Sequence, residues 1–329
     1  MPEGCTACAR GVLIMIAFLV VGSGTDAQSV TAHTQGSDQP AVIAAENTAT
    51  GSADPAPSHF QYRALHAALA RETDPLRRGK LRLNLERWRQ MPTDLGTRYL
   101  LVNIPEAVVR LVVDDRVERV HKVIVGKPAT PTPRFSTSVT GVILNPTWTV
   151  PDSIIAESVG ALVRNRPAAA RAKGYTWFRT TGGRLRVVQR PGPGNALGEV
   201  KFDMPNGYRV YLHDTPAKEL FAADQRTFSH GCIRVDDALG LAEYLLDGSG
   251  WDRARIDATI QTRRTERIAL AAPLPVHVIY LTAFADPDGT VHLIDDPYNL
   301  DAGVSARISG TRSSSGEQTA HRALLREAA

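Results

Sequence analysis

After Arg98 the apolar residues of this chain shift from a helical spacing towards every second position, the spacing of strands with one buried face. Predicted strands cover residues 99–104, 108–113, 117–125, 139–144, 185–189, 210–213, 276–285 and 290–294. Asp114-Asp115 predicts a turn, and helices are expected before residue 92 and over 236–246. The pattern predicts a mainly β core with flanking helices.

The first 27 residues have the layout of a secretory signal peptide. Arg10 precedes an apolar run over 11–21, and Thr25 and Ala27 occupy the −3 and −1 positions of a cleavage site before Gln28. The run is shorter than the roughly 20 residues of a membrane-spanning helix. An uncleaved N-terminal membrane anchor is the alternative. Both interpretations place the bulk of the chain outside the cytoplasm.

The cysteines point to one special thiol. Cys5 and Cys8 lie within the predicted signal peptide, so the mature chain would carry only Cys232. A single cysteine cannot form an internal disulfide, and in an oxidising compartment it is either buried or used. The net charge is +4, without a basic run interleaved with aromatic residues. Nucleic acid is therefore not a predicted partner.

The neighbours of Cys232 favour its use as a nucleophile. An adjacent histidine, a nearby arginine and the start of a helix each lower a thiol pKa, and Gly231 frees backbone N–H groups to hold an oxyanion. His213 ends a predicted strand nineteen positions earlier (232 − 213), so the intervening loop can bring it to the thiol. A nucleophile and a base are the requirements of acyl transfer. A backbone carbonyl is expected to orient His213, because the Asp214 side chain should point to the opposite face.

A zinc site is the competing interpretation of these residues. His213, His230 and Cys232 are of the types that bind zinc, but no fourth ligand has suitable spacing. We therefore predict no metal and no other cofactor.

The arrangement of His213 and Ser229-His230-Gly231-Cys232-Ile233-Arg234 resembles the signature of L,D-transpeptidases with a YkuD-type catalytic domain. The YcbB-like branch of that family is indicated, with the chain shortened on its N-terminal side. Further stretches that carry the resemblance are 82–88, 145–148, 191–198, Lys201-Phe202, Asn206, 211–216 and 296–299. The resemblance implies a YkuD-type β-sandwich catalytic domain.

The resemblance also implies a reaction on peptidoglycan. Cys232 would attack the third residue of a tetrapeptide stem and form a thioester, which the amine of another stem would resolve into a 3→3 crosslink. His213 would be the base. Backbone N–H groups near Gly231 and Cys232, together with the Tyr211 hydroxyl, would hold the oxyanion.

The remaining candidates have less direct roles. Ser229, His230 and Arg234 would shape the loop or bind the donor carboxylate, and Trp148 would line the cleft. The partner would be the peptidoglycan stem, and the location the periplasm or cell envelope. Alternatives with the same cysteine are an L,D-carboxypeptidase, D-amino-acid exchange and an enzyme of wall-protein linkage. A non-enzymatic wall-anchoring module is disfavoured by the presence of both Cys232 and His213.

These interpretations divide the chain into six segments. They are a signal peptide over 1–27, a flexible linker over 28–59, a small helical segment over 60–96, the L,D-transpeptidase catalytic domain over 97–260, a C-terminal β-hairpin extension over 261–301 and a disordered tail over 302–329.

Overall fold

A computed structural model describes residues 59–286 and 288–302. The predicted signal peptide, the linker as far as residue 58 and the tail from residue 303 lie outside the described residues. Within the described ranges no helix combines the length and the apolar character needed to cross a membrane.

Helices lie at the start of the described chain, in its middle and near its end. The α-helices are Phe60–Arg71 (α1), Pro75–Arg89 (α2), Asp152–Ile154 (α3), Gly160–Asn165 (α4), Pro167–Ala172 (α5), Ala238–Leu245 (α6) and Arg253–Gln261 (α7). A π-helical segment covers Ile155–Val159, and a 3₁₀-helix covers Lys218–Ala222.

Strands make up most of the remaining regular structure. They are Arg98–Asn103 (β1), Val108–Val113 (β2), Arg116–Gly126 (β3), Phe135–Leu144 (β4), Trp148–Thr149 (β5), Tyr175–Arg179 (β6), Leu185–Gln189 (β7), Val200–Asp203 (β8), Leu212–His213 (β9), Thr227–Ser229 (β10), Ile233–Val235 (β11), Glu266–Ile279 (β12), Ala283–Ala285 (β13) and Val291–Leu293 (β14).

One sheet dominates the fold. In the described part of the chain it has nine strands, in the order β10-β3-β11-β9-β8-β4-β12-β1-β2, and β3 also pairs with β2. This extra pairing closes the hydrogen-bonded strands into a ring and removes the free edges of β2 and β3 that would otherwise be exposed. The predicted fold class, mainly β with flanking helices, is confirmed.

The turn between β2 and β3 follows from its two residues. Val113 pairs with Arg116, which leaves Asp114 and Asp115 as a two-residue loop. Both have positive φ values, 46° and 61°, and aspartate tolerates this left-handed region better than most residues. The predicted turn is therefore present, and it matches the twist of the two strands.

The C-terminal segment is part of the main sheet. β12 pairs in parallel with β1 and antiparallel with β4, so it is a central strand. The predicted hairpin extension over 261–301 was therefore wrong for this strand. Only β13 and β14 form a separate two-stranded sheet among the described residues. Partners so distant in sequence leave no local pattern from which their pairing can be inferred.

Helices α1 and α2 cover one part of the sheet. Their apolar faces, with Leu65, Leu81 and Trp88, pack with Tyr99 and Leu101 of β1 in a cluster of buried side chains. Asp74 accepts a hydrogen bond from the Arg77 N–H and caps α2, and Pro75 begins the helix. Both features are typical of helix N-termini.

Buried polar side chains also hold these helices to the end of the chain. Asn84 Oδ1 accepts a 2.8 Å hydrogen bond from the Thr282 N–H, and its amide donates to the Thr282 hydroxyl at 3.1 Å. Gln61 Oε1 accepts one from the Ala285 N–H at 2.8 Å. Because Asn84 and Gln61 are buried, their backbone partners have no access to water as a substitute.

We expect Asn84→Ala to lower the free energy of unfolding by about 2–3 kcal/mol, because it leaves a buried N–H unpaired and opens a small void. Urea denaturation of the purified chain measures this. Arg82→Ala, at an exposed position of the same helix, is the control and should change stability by less than about 0.5 kcal/mol. Equal effects of the two substitutions would contradict the bridging role.

Candidate active site

The pairing of β9 with β11 sets which side chains meet. The two strands are parallel, with Leu212 opposite Ile233 and His213 opposite Arg234. Residues opposite one another in a parallel pair project from the same face, and their neighbours project from the other. Leu212 and Ile233 belong to the buried core. His213 and Arg234 therefore lie together on the opposite face.

Cys232 and Tyr211 lie one step before the core pair, on the face of His213 and Arg234. The Ile233 N–H donates a 3.0 Å hydrogen bond to the Tyr211 carbonyl. This bond extends the same register by one residue, to Tyr211 and Cys232. Strand β8 adds Lys201, which pairs with His213. Three neighbouring strands therefore gather a thiol, an imidazole, a phenol and two cations on one face.

His213 is buried, and its ring orientation is fixed by the backbone. Its Nδ1 lies 2.5 Å from the Asp214 carbonyl oxygen, so Nδ1 carries the proton and donates it. Nε2 is then unprotonated in the neutral ring. A backbone carbonyl therefore orients His213, as the alternation of side chains along the strand predicts.

The imidazole of His213 is held in its neutral form. Its pKa is lowered to about 3, chiefly by burial and also by the positive charges of Arg234 and Lys201, while hydrogen bonds to the backbone of Asp214 and Leu197 act in the opposite direction. A neutral imidazole whose Nε2 carries no proton can accept one.

Cys232 is a half-buried thiol in an environment of opposing influences. Its Sγ lies 3.9 Å from the Arg209 carbonyl. Burial raises the pKa of the thiol, while hydrogen bonds from Tyr211 and the charges of Lys201 and Arg234 lower it. Burial is the largest influence, so the resting thiol is protonated. The site is thus a neutral thiol and a neutral imidazole in a field of two cations.

Tyr211 connects the members of the site. Its ring lies edge-on to His213 with centroids 5.6 Å apart, and Lys201 Nζ lies 4.2 Å from the ring centroid. Its hydroxyl interacts with both Cys232 and the buried Trp148. Burial and the neighbouring thiolate raise the pKa of Tyr211, so the hydroxyl remains a hydrogen-bond donor. The structure thus brings the predicted residue Tyr211 to the thiol and the predicted residue Trp148 to the Tyr211 hydroxyl.

The loop before the nucleophile is held by its own hydrogen bonds. Ser229 Oγ donates to the Cys232 carbonyl at 2.6 Å and accepts from the Gly231 N–H at 3.1 Å. The Gly231 carbonyl accepts from the Thr132 hydroxyl at 2.8 Å. Gly231 has a φ of 110°, which a residue with a side chain rarely adopts. Ser229 is therefore a loop-shaping residue.

The Gly231 N–H is not available for its predicted role as an oxyanion donor, because it already donates to the Ser229 hydroxyl. The Cys232 N–H, in contrast, has no hydrogen-bond partner within 59–286 and 288–302. The available donors near the thiol are therefore the Cys232 N–H and the Tyr211 hydroxyl. The sequence indicates N–H groups near Gly231 and Cys232 but does not decide between them, because a glycine N–H can point either way.

His230 points away from the thiol. Its Nε2 lies 2.7 Å from Glu157 Oε2 and 3.4 Å from Lys127 Nζ. These contacts lower the pKa of Glu157 and tie the nucleophile loop to the π-helical segment. Of the two predicted roles, this geometry matches loop shaping. Glu157 was missed in the sequence because no motif surrounds it.

Asp214 is a supporting residue that the sequence did not single out for this role. Its carboxylate accepts a 2.9 Å hydrogen bond from the Glu199 N–H and pairs with Lys218. A Cβ on Gly198 would approach Asp214 Oδ2 to 2.2 Å, so only glycine fits there. The carboxylate thus fixes the chain beside His213 from the opposite face.

Arg234 and Lys201 carry charges that no carboxylate of the described residues neutralises. Neither forms an ion pair with a carboxylate of the described residues, although desolvation lowers the pKa of both. Half-buried cations without a carboxylate partner can bind an anionic group of a ligand. No group of three or more histidine, cysteine, aspartate or glutamate side chains in the described ranges is arranged to hold a metal ion.

The positions of the two cations predict how the reactivity of the Cys232 thiol depends on pH. We expect the rate of Cys232 alkylation by iodoacetamide to reach half its maximum above about pH 8.5, the value of a free thiol, because burial opposes ionisation. Arg234→Gln should move this midpoint higher and lower the rate at neutral pH by roughly threefold or more, since a cation that favours the thiolate is lost.

Lys127→Gln is the matched control, because Lys127 contacts His230 and Glu157 but does not influence the thiol. Its profile should equal that of the unchanged chain. A midpoint that is the same for Arg234→Gln and the unchanged chain would contradict this electrostatic account.

Comparison with known proteins points to one family. Residues 97–260 match the family model of the YkuD L,D-transpeptidase catalytic domain. A Haemophilus influenzae protein provisionally named an L,D-transpeptidase is 29% identical over 242 residues, which cover 69% of this chain and 49% of that protein. The chain thus spans about half the length of this curated relative.

Solved structures also resemble parts of the chain. An L,D-transpeptidase from Mycobacterium smegmatis has 16% identity and a TM-score of 0.28, covering 55% of this chain and 58% of that one. A cysteine-to-serine mutant of the Enterococcus faecium L,D-transpeptidase has 13% identity and a TM-score of 0.29, covering 56% and 50%.

Proposed function

We propose, because residues 97–260 belong to the L,D-transpeptidase catalytic domain family, that this chain is an exported peptidoglycan L,D-transpeptidase that forms 3→3 crosslinks. The observation that carries the proposal is the register that sets His213 beside Arg234 and places Cys232 on the same face. A buried neutral imidazole on the same face as a thiol is suited to acyl transfer without a metal or a cofactor. Assignment to the YcbB-like branch stays a prediction.

In the acylation half-reaction, His213 Nε2 takes the proton of the Cys232 thiol as the sulfur attacks the carbonyl carbon of the third stem residue. The Cys232 N–H and the Tyr211 hydroxyl hold the resulting oxyanion. As the tetrahedral intermediate collapses, His213 returns the proton to the departing amine of the terminal D-alanine. A thioester remains on Cys232.

In the second half-reaction, the amine of another stem attacks the thioester carbonyl, and His213 Nε2 accepts the amine proton. Cys232 leaves as a thiolate and regains the proton from His213. A new amide bond replaces the thioester, so atoms and charges balance. Lys201 and Arg234 stabilise the thiolate while it exists, which assists its departure.

Arg234 and Lys201 also suit recognition of the donor. A stem ending in D-alanine carries a carboxylate, and these cations lack a carboxylate partner among the described residues. A carboxylate bound there would offset the positive charges of Arg234 and Lys201, which together with the larger effect of burial lower the pKa of His213. Donor binding would therefore make His213 a stronger base when it is needed.

Export is proposed from the N-terminal sequence. The predicted signal peptide over 1–27, or an uncleaved anchor, would deliver the chain to the periplasm or cell envelope, where its stem substrates are found.

The direct test incubates the chain from Gln28 with disaccharide-tetrapeptide and follows products by mass spectrometry. We expect a thioester adduct on Cys232, loss of D-alanine and 3→3 dimers. Cys232→Ser should give no thioester, and His213→Gln should lower the acylation rate by at least about 100-fold, the usual contribution of a general base.

Other outcomes distinguish the related activities. Tripeptide without dimers would overturn transpeptidation in favour of an L,D-carboxypeptidase, and exchange with added D-amino acids would reveal a permissive acceptor site. His230→Gln is a matched control, because His230 contacts Glu157 instead of the thiol. It should keep most of the activity. A folded chain that forms neither the thioester adduct nor any product would contradict the proposal.

The low pKa of His213 predicts an unusual pH profile. A base with a pKa of about 3 stays unprotonated as the pH falls, so kcat/KM should change little between about pH 7 and 5. Arg234→Gln removes a cation that disfavours the imidazolium. It should therefore raise the pKa of His213 and move the acid limb of the profile to higher pH. A wild-type midpoint near pH 6.5, the ordinary histidine value, would contradict this account.

A further inference from the structure

A second cavity lies away from the candidate active site. It has a volume of about 250 Å³ and forms between the end of α2, the segment leading into β1 and the turn between β2 and β3. It shares no lining residue with the site around Cys232. Its lining residues are His59, Trp88, Pro92, Thr93, Asp94, Leu95, Gly96, Thr97, Tyr99, Asp114 and Asp115.

Three buried polar side chains line the base of this cavity. His59, Trp88 and Tyr99 are 5%, 1% and 1% exposed. His59 Nε2, Trp88 Nε1 and Tyr99 Oη have no hydrogen-bond partner in the part of the chain that the structure describes. Native proteins leave few such groups unpaired, so three in one cavity indicate a missing partner.

The unpaired atoms share one chemical character. The Gln61 N–H donates to His59 Nδ1 at 3.1 Å, so in the neutral ring the proton is on Nε2. The Trp88 indole can only donate, and the Tyr99 hydroxyl can donate. Burial lowers the pKa of His59 and raises that of Tyr99, so both keep these protons at neutral pH. The base of the cavity therefore offers three donors to an oxygen acceptor.

The mouth of the cavity carries acidic side chains, in contrast to the hydrogen-bond donors of its base. Asp94, Asp114 and Asp115 are exposed and line the same cavity. Asp94 accepts a 2.8 Å hydrogen bond from the Gly96 N–H, and Asp115 lies 3.9 Å from Arg63. Three carboxylates gathered at the mouth favour a positively charged group there.

Size limits what the cavity can hold. A volume of about 250 Å³ is enough to hold a single amino acid. We propose that this cavity binds a small free amino acid, with its ammonium group at the aspartates of the mouth and its carboxylate at the donors of the base. The inference does not depend on the proposed transpeptidase activity.

The test uses the full chain labelled with ¹⁵N at tryptophan. The sequence has four tryptophans, and Trp88→Phe identifies the Trp88 indole signal by its disappearance. Titration with D-alanine, L-alanine and glycine should shift the Trp88 indole signal in a saturable way while the other three stay in place. Propionate and ethylamine, which each carry only one of the two charged groups, should bind at least about tenfold more weakly.

Variants separate the two ends of the cavity. Tyr99→Phe keeps the ring and removes one donor, and Asp115→Asn removes one charge at the mouth. Each should weaken amino acid binding by about tenfold, the effect of losing one hydrogen bond to a charged group. The matched controls Tyr62→Phe and Asp247→Asn alter a buried tyrosine and an exposed aspartate that do not line the cavity. These controls should bind as the unchanged chain does.

Thermal unfolding checks that each variant is folded. Removing an unpaired hydroxyl should not destabilise the empty cavity, so Tyr99→Phe should unfold no earlier than the unchanged chain when no amino acid is added. A saturating amino acid should raise the Tm of the unchanged chain more than that of Tyr99→Phe. The proposal is overturned by a Trp88 signal that does not shift, by half-ligands that bind as tightly as amino acids, or by a Tyr99→Phe variant with unchanged affinity.

Discussion

The parallel pairing of β9 with β11 is the constraint on which the candidate site depends. His213 is placed opposite Arg234, and the core pair Leu212 and Ile233 locks that register, since a slip by one residue would expose buried side chains. The hydrophobic core thus specifies the relative position of nucleophile and base. The polar residues of the site need no direct contact with one another to be held in place.

The same two cations act on the site in opposite directions. Arg234 and Lys201 lower the pKa of Cys232, which favours the thiolate, and also lower the pKa of His213, which disfavours the imidazolium. A stable thiolate–imidazolium pair is therefore not the resting state. Proton transfer must accompany attack, and it becomes easier when an anionic donor offsets the positive charge. The arrangement links the reactivity of the thiol to occupancy of the site, which would limit oxidation of Cys232 while the site is empty.

Much of the fold was predictable because its signals are local. Alternating apolar residues predicted β1 to β4, and Asp114-Asp115 predicted the turn. The central position of β12 was not predictable, because it depends on pairing with strands more than a hundred residues away. In the site, residue types and spacing indicated Cys232 and His213, but the direction of a single N–H decided the role of Gly231. Such directions depend on tertiary packing, which spacing does not encode.

The position of β12 gives the C-terminal segment a part in supporting the nucleophile. Tyr280 follows β12, and its hydroxyl accepts a 2.9 Å hydrogen bond from the Tyr298 N–H. The Tyr298 hydroxyl donates to the Gly126 carbonyl at 2.6 Å and accepts from the Thr132 N–H at 3.3 Å. Thr132 in turn binds the Gly231 carbonyl. This chain of hydrogen bonds runs from a central strand to the residue before the nucleophile, so a truncation after residue 260 would remove a support of the loop as well as a strand of the sheet.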